Sequence, residues 1–221
     1  MKFTPLTPEL YEYLVAHGHN SDPVLAELAK ETEALGRIAM MQIAPEQGTL
    51  MSMLVRAIGA RSAIEIGTFT GYSALCIARG LPPDGKLLCC DVSEEWTAIG
   101  RKYWAKAGVA ERIELRIAPA LETLKTLPAD HAIDFAFIDA DKVSYRDYYD
   151  ALLPRVRPNG LILFDNVLWG GQVLDPNSQS EDTRALRALN DLIASDQRVQ
   201  AVMISVSDGL TIVRKRAPDQ R

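Results

Sequence analysis

Apolar side chains return at helical spacing through the first quarter of the chain. Between about residues 7 and 58 they recur every three or four positions, the pattern of amphipathic helices. Leu35 and Ile38 continue this pattern beyond its second helical stretch. Thr7 and Asp22 each precede a proline, which predicts two helix starts with a side-chain cap and a proline in the first turn. A third helix is predicted over Glu46–Ile58.

Short apolar runs then alternate with helical windows. The predicted strands are Ala63–Ile66, Leu87–Cys90, Ile113–Ile117, Ile133–Ile138 and Leu161–Phe164. The predicted helices between them are Ser73–Ala78, Glu94–Ala107, Ala120–Leu127 and Tyr145–Val156. Strands that are apolar on both sides and separated by helices indicate a parallel sheet covered on both faces.

The last part of the chain changes the direction of the sheet. A helix over Asp182–Ala194 precedes two apolar segments, Val199–Val206 and Leu210–Arg214. The three residues between these segments are too few for a parallel crossover, so we expect an antiparallel hairpin. The whole pattern predicts a doubly wound, mostly parallel, seven-stranded Rossmann-like α/β sheet with its last strand reversed. We expect one domain over residues 1–221, with a helical N-terminal cap (1–60) and a Rossmann-like core (61–221).

Charge and composition narrow the class of protein. The chain has 221 residues and a net charge of -5, which provides no broad basic field for nucleic acid. No apolar run is long enough to span a membrane, and no signal sequence is evident, so we expect a cytoplasmic protein. Cys76, Cys89 and Cys90 lack the spacing of a metal or redox motif and are expected to be reduced, mostly buried thiols.

Ligands of a doubly wound sheet bind beyond the carboxyl ends of its strands. The first strand ends in a turn that contains Gly67 and Gly71, where glycines permit a tight turn and close approach of a ligand. The second strand ends in Asp91, whose carboxylate could accept both hydroxyls of a ribose. The turn alone is equally consistent with a structural role, and it lacks the Gly-x-Gly-x-x-Gly spacing typical of NAD enzymes.

Acidic and amide side chains follow the fourth and fifth strands. Asp139-Ala140-Asp141-Lys142 follows the fourth strand, and Asp165-Asn166 follows the fifth; the oxygen-bearing side chains of interest are Asp139, Asp165 and Asn166. Adjacent parallel strands bring these oxygens to one edge, where they suit a hard divalent cation such as Mg²⁺, Mn²⁺ or Ca²⁺. A single strand-end aspartate more often caps a helix or faces solvent, and that alternative stays open for each residue alone.

Four segments together resemble one family. Met41–Gly48, Glu65–Ser73, Asp139–Lys142 and Asp165–Trp169 closely resemble the caffeoyl-CoA O-methyltransferase-like group, including its bacterial members, and the resemblance runs from about residue 10 to residue 213. It implies a class I, S-adenosylmethionine-dependent and cation-dependent O-methyltransferase, in most cases a homodimer.

The resemblance also implies roles for individual residues. The positions that fall on cofactor contacts are Met41, Ile43, Glu65, Gly67, Thr68, Ser73, Asp91, Ala120, Asp139 and Asp141. The positions that fall on metal ligands are Asp139, Asp165 and Asn166. Asp141 also borders the substrate, and Lys142 matches the lysine assigned as the base for the attacking hydroxyl.

A divalent cation bound by two neighbouring hydroxyls makes a phenolate available near neutral pH, so the expected substrate is a small catechol or other vicinal aromatic diol. Lys142 could take the proton or stabilise the phenolate by its charge; alternatively, its head lies in water at a helix start. Trp169 and Tyr145 are candidates for contact with a flat substrate, although aromatic residues more often pack in the core.

Two departures bear on the substrate. Plant members that act on coenzyme A thioesters carry an asparagine after this tryptophan, where Gly170 and Gly171 stand here, and only Lys2 precedes the first helix as a basic residue. A free catechol, caffeic acid or flavonoid is therefore expected. Three alternatives remain: a tRNA hydroxyuridine O-methyltransferase of the same family, an NAD-dependent oxidoreductase, and a non-enzymatic scaffold with a structural metal.

Overall fold

The computed structural model describes residues 4–18, 22–128 and 130–218. The α-helices in these ranges are α1 (Pro8–Gly18), α2 (Pro23–Glu33), α3 (Pro45–Ala57), α4 (Tyr72–Gly80), α5 (Glu94–Lys106), α6 (Ala120–Thr126), α7 (Tyr145–Leu152) and α8 (Glu181–Ser195). The strands are β1 (Ser62–Ile66), β2 (Lys86–Asp91), β3 (Ile113–Ile117), β4 (Ile133–Ile138), β5 (Val156–Asp165), β6 (Val199–Ile204) and β7 (Leu210–Lys215). Short 3₁₀ helices lie at Gly36–Met41, Ala110–Arg112, Lys142–Ser144 and Trp169–Leu174.

The strands form one sheet in the order β3-β2-β1-β4-β5-β7-β6. The first five strands run parallel, whereas β7 is antiparallel to both β5 and β6. The predicted fold, including the reversed last strand and the terminal hairpin, is confirmed. The strand order changes direction at β1 and β4, so the carboxyl ends of these strands flank the crevice in which such sheets bind ligands.

Each face of the sheet has its own apolar core. Alternate residues of β2 point to opposite faces, and Cys89 and Cys90 belong to different cores. One core lies under α6, α7 and α8, and the other includes Leu28 of α2 and Met51 of α3. The three cysteines are free and buried, as expected. The helical start of the chain therefore packs on one face of the sheet.

The predicted helix starts are confirmed. The Thr7 hydroxyl accepts the Leu10 N–H at 3.3 Å, and Asp22 Oδ1 accepts the Val24 N–H at 2.9 Å and the Leu25 N–H at 3.2 Å. These bonds satisfy backbone donors that a first helical turn leaves unpaired.

Three predicted boundaries are wrong by more than two residues. The stretch around Leu35 and Ile38 is a turn followed by the Gly36–Met41 3₁₀ helix, and α2 ends at Glu33. Helix α7 ends at Leu152 rather than Val156, because Pro154 cannot continue it. Val156 instead begins β5, five residues before the predicted strand.

Two predictions about the N-terminal part of the chain have no counterpart among the described features of the structure. Lys2 lies outside the described residues, and the division into a cap (1–60) and a core (61–221) stays a prediction. In the described parts of the chain, no helix has the length and apolar character needed to cross a bilayer.

Candidate active site

A cavity of about 720 Å³ opens at the carboxyl ends of the parallel strands. Nearly all the predicted site residues line it; they are Met41, Ile43, Gly67, Thr68, Ser73, Asp91, Ala120, Asp139, Asp141, Lys142, Asp165, Asn166 and Trp169. Glu65 differs, because it is fully buried behind the cavity wall. The fold thus brings residues more than 100 positions apart to one place.

The turn after β1 explains its two glycines. Gly67 and Gly71 have positive φ angles of 87° and 81°. A Cβ on Gly67 would lie 1.9 Å from the Asp139 carbonyl oxygen, and one on Gly71 would lie 2.8 Å from the Trp104 ring. The predicted tight turn is confirmed. The close neighbour that excludes a side chain at Gly67 is the end of β4, so the glycine lets the two strand ends meet.

Asp91 holds that turn. Its Oδ2 atom accepts the backbone N–H groups of Thr68 and Phe69, both at 2.8 Å, and its Oδ1 atom accepts the Ser93 N–H at 2.8 Å. A carboxylate has about four acceptor positions, and three are taken here. One acceptor position remains for a ligand, and the expected contact of Asp91 with a ribose stays a prediction.

Glu65 is the most isolated polar group near the cavity. It is 0% exposed, and neither of its carboxyl oxygens has a hydrogen-bond partner among the described residues. Burial raises the pKa of Glu65 to about 7, an effect that the nearby hydroxyls of Ser73 and Thr68 oppose. The Thr68 hydroxyl, also buried and unpartnered, lies at the cavity wall. An unpaired buried polar group is costly, so this pair suits a donor or positive charge supplied by a ligand.

Lys142 joins the side chains that follow β4 and β5. Its Nζ atom donates to Asp139 Oδ1 at 2.9 Å, to Asn166 Oδ1 at 2.7 Å and to the Tyr145 hydroxyl at 2.8 Å. The lysine is only 7% exposed, so the alternative with its head in water is wrong. The contact of two oxygen ligands with one ammonium marks a point where a cation is favoured.

Asp165 completes the oxygen set. It is 2% exposed, and its Oδ2 atom accepts the Gln47 Nε2–H at 2.8 Å while Oδ1 accepts the Asn166 N–H at 2.7 Å. Burial, together with the negative charge of Asp139, raises the pKa of Asp165 to about 7. Among the described residues, no three His, Cys, Asp or Glu side chains cluster in a way that could hold a metal ion. In this set of oxygens, the third belongs to the side-chain amide of Asn166. Two carboxylates and an amide oxygen fit a hard divalent cation.

Two tyrosines support this edge. Tyr148 lines the cavity and donates to Asp141 Oδ1 at 2.6 Å, and burial raises the pKa of its phenol. Tyr145 is fully buried and does not line the cavity; its hydroxyl lies 3.1 Å from the Asp165 carbonyl oxygen. Core packing is thus the correct alternative for Tyr145, which also holds the Lys142 ammonium.

Trp169 lies on an unusual segment at the cavity mouth. Trp169, Gly170 and Gly171 have consecutive positive φ angles of 50°, 57° and 82°. The turn between β6 and β7 holds this segment, since the Asp208 carbonyl accepts the Leu168 N–H at 3.0 Å and Asp208 Oδ1 accepts the Gly170 N–H at 2.7 Å. The Lys142 Nζ atom lies 5.8 Å from the Trp169 ring centroid.

Sequence reasoning missed several lining residues. Tyr148, Asp182, Ser207 and Asp208 all line the cavity. Asp182 lies in the first turn of α8, where an acid favours the helix, and the hairpin turn was interpreted only as a connector. No local pattern distinguishes these residues, since only the folded sheet brings them to the mouth.

The comparisons with known proteins now identify the family. A family model described as O-methyltransferase matches residues 15–216. The chain belongs to this family. It is 39% identical over 210 residues to "Probable caffeoyl-CoA O-methyltransferase 1" of Dictyostelium discoideum, covering 93% of this chain and 91% of the relative.

Solved structures of other O-methyltransferases have the same fold. The O-methyltransferase TomG from Streptomyces achromogenes, in complex with S-adenosylmethionine, has a TM-score of 0.86 and 29% identity over 95% of this chain and 96% of its own. The O-methyltransferase from Bacillus cereus, in complex with S-adenosylhomocysteine, has a TM-score of 0.85 and 31% identity over 93% and 96%. This O-methyltransferase is an S-adenosylmethionine-dependent enzyme, and the NAD-dependent and non-enzymatic alternatives are discarded.

Proposed function

We propose that this enzyme requires a divalent cation and methylates one hydroxyl of a small aromatic vicinal diol. The observation that carries the proposal is the convergence of the Asp139 and Asn166 oxygens on one ammonium, with the buried Asp165 carboxyl beside them. Burial and the charge of Asp139 raise the pKa of Asp165 more than the single Lys142 ammonium lowers it, so a divalent cation would offset a repulsion that Lys142 cancels only in part. Mg²⁺, Mn²⁺ and Ca²⁺ all suit this oxygen set.

Asp139, Asp165 and Asn166 would hold the cation, which would supply Lewis-acid activation of two adjacent hydroxyls. The protein's own side chains would do the rest, by orienting the substrate and stabilising its charge. Tyr145 and Asn166 fix the Lys142 ammonium, and Trp169 offers a flat apolar surface at the mouth. Rigid placement of this kind can lower a barrier by about 7–11 kcal/mol in favourable cases.

The geometry favours one of the two roles considered for Lys142. An ammonium has three N–H donors, and all three are engaged here. The proposed role of Nζ is therefore that of a fixed positive charge, which would stabilise the phenolate oxygen. To accept the hydroxyl proton, it would first have to release one of its own.

The cofactor half of the cavity lies at the ends of β1 and β2. We propose that S-adenosylmethionine contacts Met41, Ile43, Gly67, Thr68, Ser73, Asp91, Ala120, Asp139 and Asp141. Glu65 would act from behind this wall, where its unpaired carboxyl favours the positive charge of the cofactor. The unpartnered Thr68 hydroxyl offers a second polar contact.

The charges in the cavity argue against a highly anionic substrate. Lys142 is the only lysine or arginine among the described lining residues, whereas Asp182 and Asp208 lie at the mouth. A coenzyme A thioester or a tRNA would bring several phosphates without partners. We therefore propose a free catechol, caffeic acid-like or flavonoid-like substrate, although the Dictyostelium relative is named for caffeoyl-CoA.

A labelled-methyl assay tests this proposal. The enzyme is incubated with labelled S-adenosylmethionine and either simple catechols, a caffeoyl thioester or bulk tRNA, with and without Mg²⁺. We expect transfer to catechols only, dependent on Mg²⁺ and abolished by EDTA. An EDTA-stripped enzyme that methylated catechols at the untreated rate would contradict the cation requirement, and faster transfer to tRNA would contradict the substrate class.

Two further proposals concern the setting of the enzyme. A homodimer is supported by the exposed apolar side chains of the edge strand β6, where Val202 is 53% and Met203 42% exposed. Light scattering after gel filtration tests it.

A cytoplasmic location is supported by three buried free thiols, which suit a reducing compartment, and cell fractionation tests it.

A further inference from the structure

Gln47 is the one α3 side chain described as bonded to an oxygen of the proposed cation site. It lies in the first turn of α3, is 0% exposed, and donates from Nε2 to Asp165 Oδ2 at 2.8 Å. The two residues are 118 positions apart in the chain. A buried amide thus links the helical N-terminal part of the chain to the end of β5.

The hydrogen bond acts on the orientation of a carboxylate. Asp165 receives one donor on each oxygen, from Gln47 on Oδ2 and from the Asn166 backbone on Oδ1. Together these bonds fix the rotation of the carboxyl group and leave acceptor capacity on both oxygens. Because the Asn166 N–H belongs to the adjacent residue, Gln47 is the only described donor to the Asp165 carboxylate from another element.

Helix packing alone does not explain an amide here. The Gln47 Oε1 atom is buried without a partner, which makes the side chain more costly to bury than an apolar one of similar size. Helix α3 is already anchored by Met51 and Val55, both 0% exposed, and by the close contact of Gly48 with Cys76. The feature that an apolar residue could not reproduce is the hydrogen bond to Asp165.

We infer that Gln47 is a positioning residue for the cation site, which it serves by holding the Asp165 carboxylate in the orientation that binds the metal. This inference rests on the proposed cation dependence. Partners that orient metal ligands typically change metal affinity by about 10- to 100-fold when removed. Loss of the bond should therefore weaken metal binding and leave the cofactor half unaffected.

The test compares Gln47→Met, which keeps the volume and removes the donor, with Gln47→Asn, which keeps the amide and shortens its reach. Mn²⁺ binding is measured by calorimetry and by electron paramagnetic resonance, and S-adenosylhomocysteine binding is measured in metal-free buffer. We expect the Mn²⁺ dissociation constant to rise about 10-fold or more in both variants. The dissociation constant for S-adenosylhomocysteine should stay within about twofold, and excess metal should restore most of kcat.

Thr97→Val is the matched control, since Thr97 is also fully buried and bonded but lies on α5, with its hydroxyl on the Ser93 carbonyl. It should lose stability without any change in Mn²⁺ affinity. If both Gln47 variants bind Mn²⁺ as tightly as the parent, the positioning role is wrong while the cation proposal stands. If the parent itself binds no Mn²⁺, both proposals fail together. If both variants also lose S-adenosylhomocysteine binding, Gln47 is structural and the inference is overturned.

Discussion

Two buried carboxyl groups border the cavity, one behind its wall and one in its lining, and their surroundings are opposite in kind. Glu65 of β1 has no hydrogen-bond partner in the described chain, whereas each oxygen of Asp165 of β5 accepts one hydrogen bond. Burial raises the pKa of both groups to about 7; at Asp165 the charge of Asp139 adds to the effect, and at Glu65 the charge of Asp91 makes a smaller contribution. The two carboxyl groups therefore have similar pKa values but differ in the hydrogen bonds that orient them.

This difference in hydrogen bonding suggests different roles for Glu65, beside the proposed cofactor site, and for Asp165, in the proposed cation site. Asp165 accepts one hydrogen bond on each carboxyl oxygen, which suits the proposed cation because a metal site tolerates little misplacement of its ligands. Glu65 is unpaired and lies behind a wall, so it favours positive charge through its field rather than by forming a set of short bonds. Variants that remove one carboxyl at a time should separate these two tasks.

The largest effect is expected at Asp165. Asp165→Ala removes one of three proposed cation ligands, and a catalytic metal contributes several kcal/mol, which corresponds to about a thousandfold or more in kcat. Initial rates at saturating Mg²⁺ measure the loss. Binding of S-adenosylhomocysteine should stay near that of the parent, since the cofactor half is untouched. Near-normal rates in a folded Asp165→Ala protein would remove Asp165 from the site.

The next largest effect is expected at Lys142, where two variants distinguish a fixed positive charge from a general base. Lys142→Met should lower kcat by about a hundredfold, within the range of a lost proton-transfer or charge contact. If the fixed charge is its main contribution, Lys142→Arg retains more activity than Lys142→Met. Equal losses in both variants, measured as kcat over a range of pH, would favour the base instead.

A smaller effect is expected at Glu65. Glu65→Gln keeps the shape and removes the negative charge, so the dissociation constant for S-adenosylmethionine should rise about tenfold, near the value of one charged hydrogen bond. Calorimetry with S-adenosylmethionine and with the uncharged-sulfur product S-adenosylhomocysteine measures it. The loss should be larger for S-adenosylmethionine, and equal losses would contradict a role through charge.

The same variant should change the pH dependence of stability. Burial raises the pKa of Glu65 from 4.5 to about 7, so the ionised form is favoured in the unfolded chain. The contribution of Glu65 to stability is therefore greatest below about pH 4.5 and is lost as the pH rises to about 7. Glu65→Gln should reduce this loss by about 1–3 kcal/mol, measured by denaturant unfolding without cofactor. Asp165 shifts in the same direction, so part of the slope should remain.

The sequence predicted the sheet well because strand identity depends on local patterns. Short apolar runs with helices between them determined the parallel strands, and the three-residue gap before Leu210 required the hairpin. Boundaries were less predictable, since Val156 already pairs with Ile133 although the turn-like residues 157–160 interrupt the register before Leu161 pairs with Phe135. Tertiary pairing overrides the local signal there.

The candidate site was predictable where motifs follow strand ends and unpredictable elsewhere. Asp139 and Asp165 end adjacent strands, so topology alone brings them together. Gln47 and Asp208 reach the site from a helix and a hairpin turn, and no spacing in the chain relates them to β5. Their roles depend on three-dimensional packing, which periodicity does not encode.

The smallest predicted effect lies at the mouth of the cation half. Asp182 lines the cavity, and its carboxylate accepts no described hydrogen bond, so its charge should act on a charged substrate through the solvent. Asp182→Asn should lower KM for an anionic catechol such as a caffeic acid-like substrate by about two- to threefold, as for a partly exposed charge, and leave KM for a neutral catechol unchanged. Because salt screens such interactions, the difference should shrink between low and high ionic strength. An equal change in KM for both substrates, or a change that persists in high salt, would mean that Asp182 affects the shape of the cavity and not its electrostatic potential.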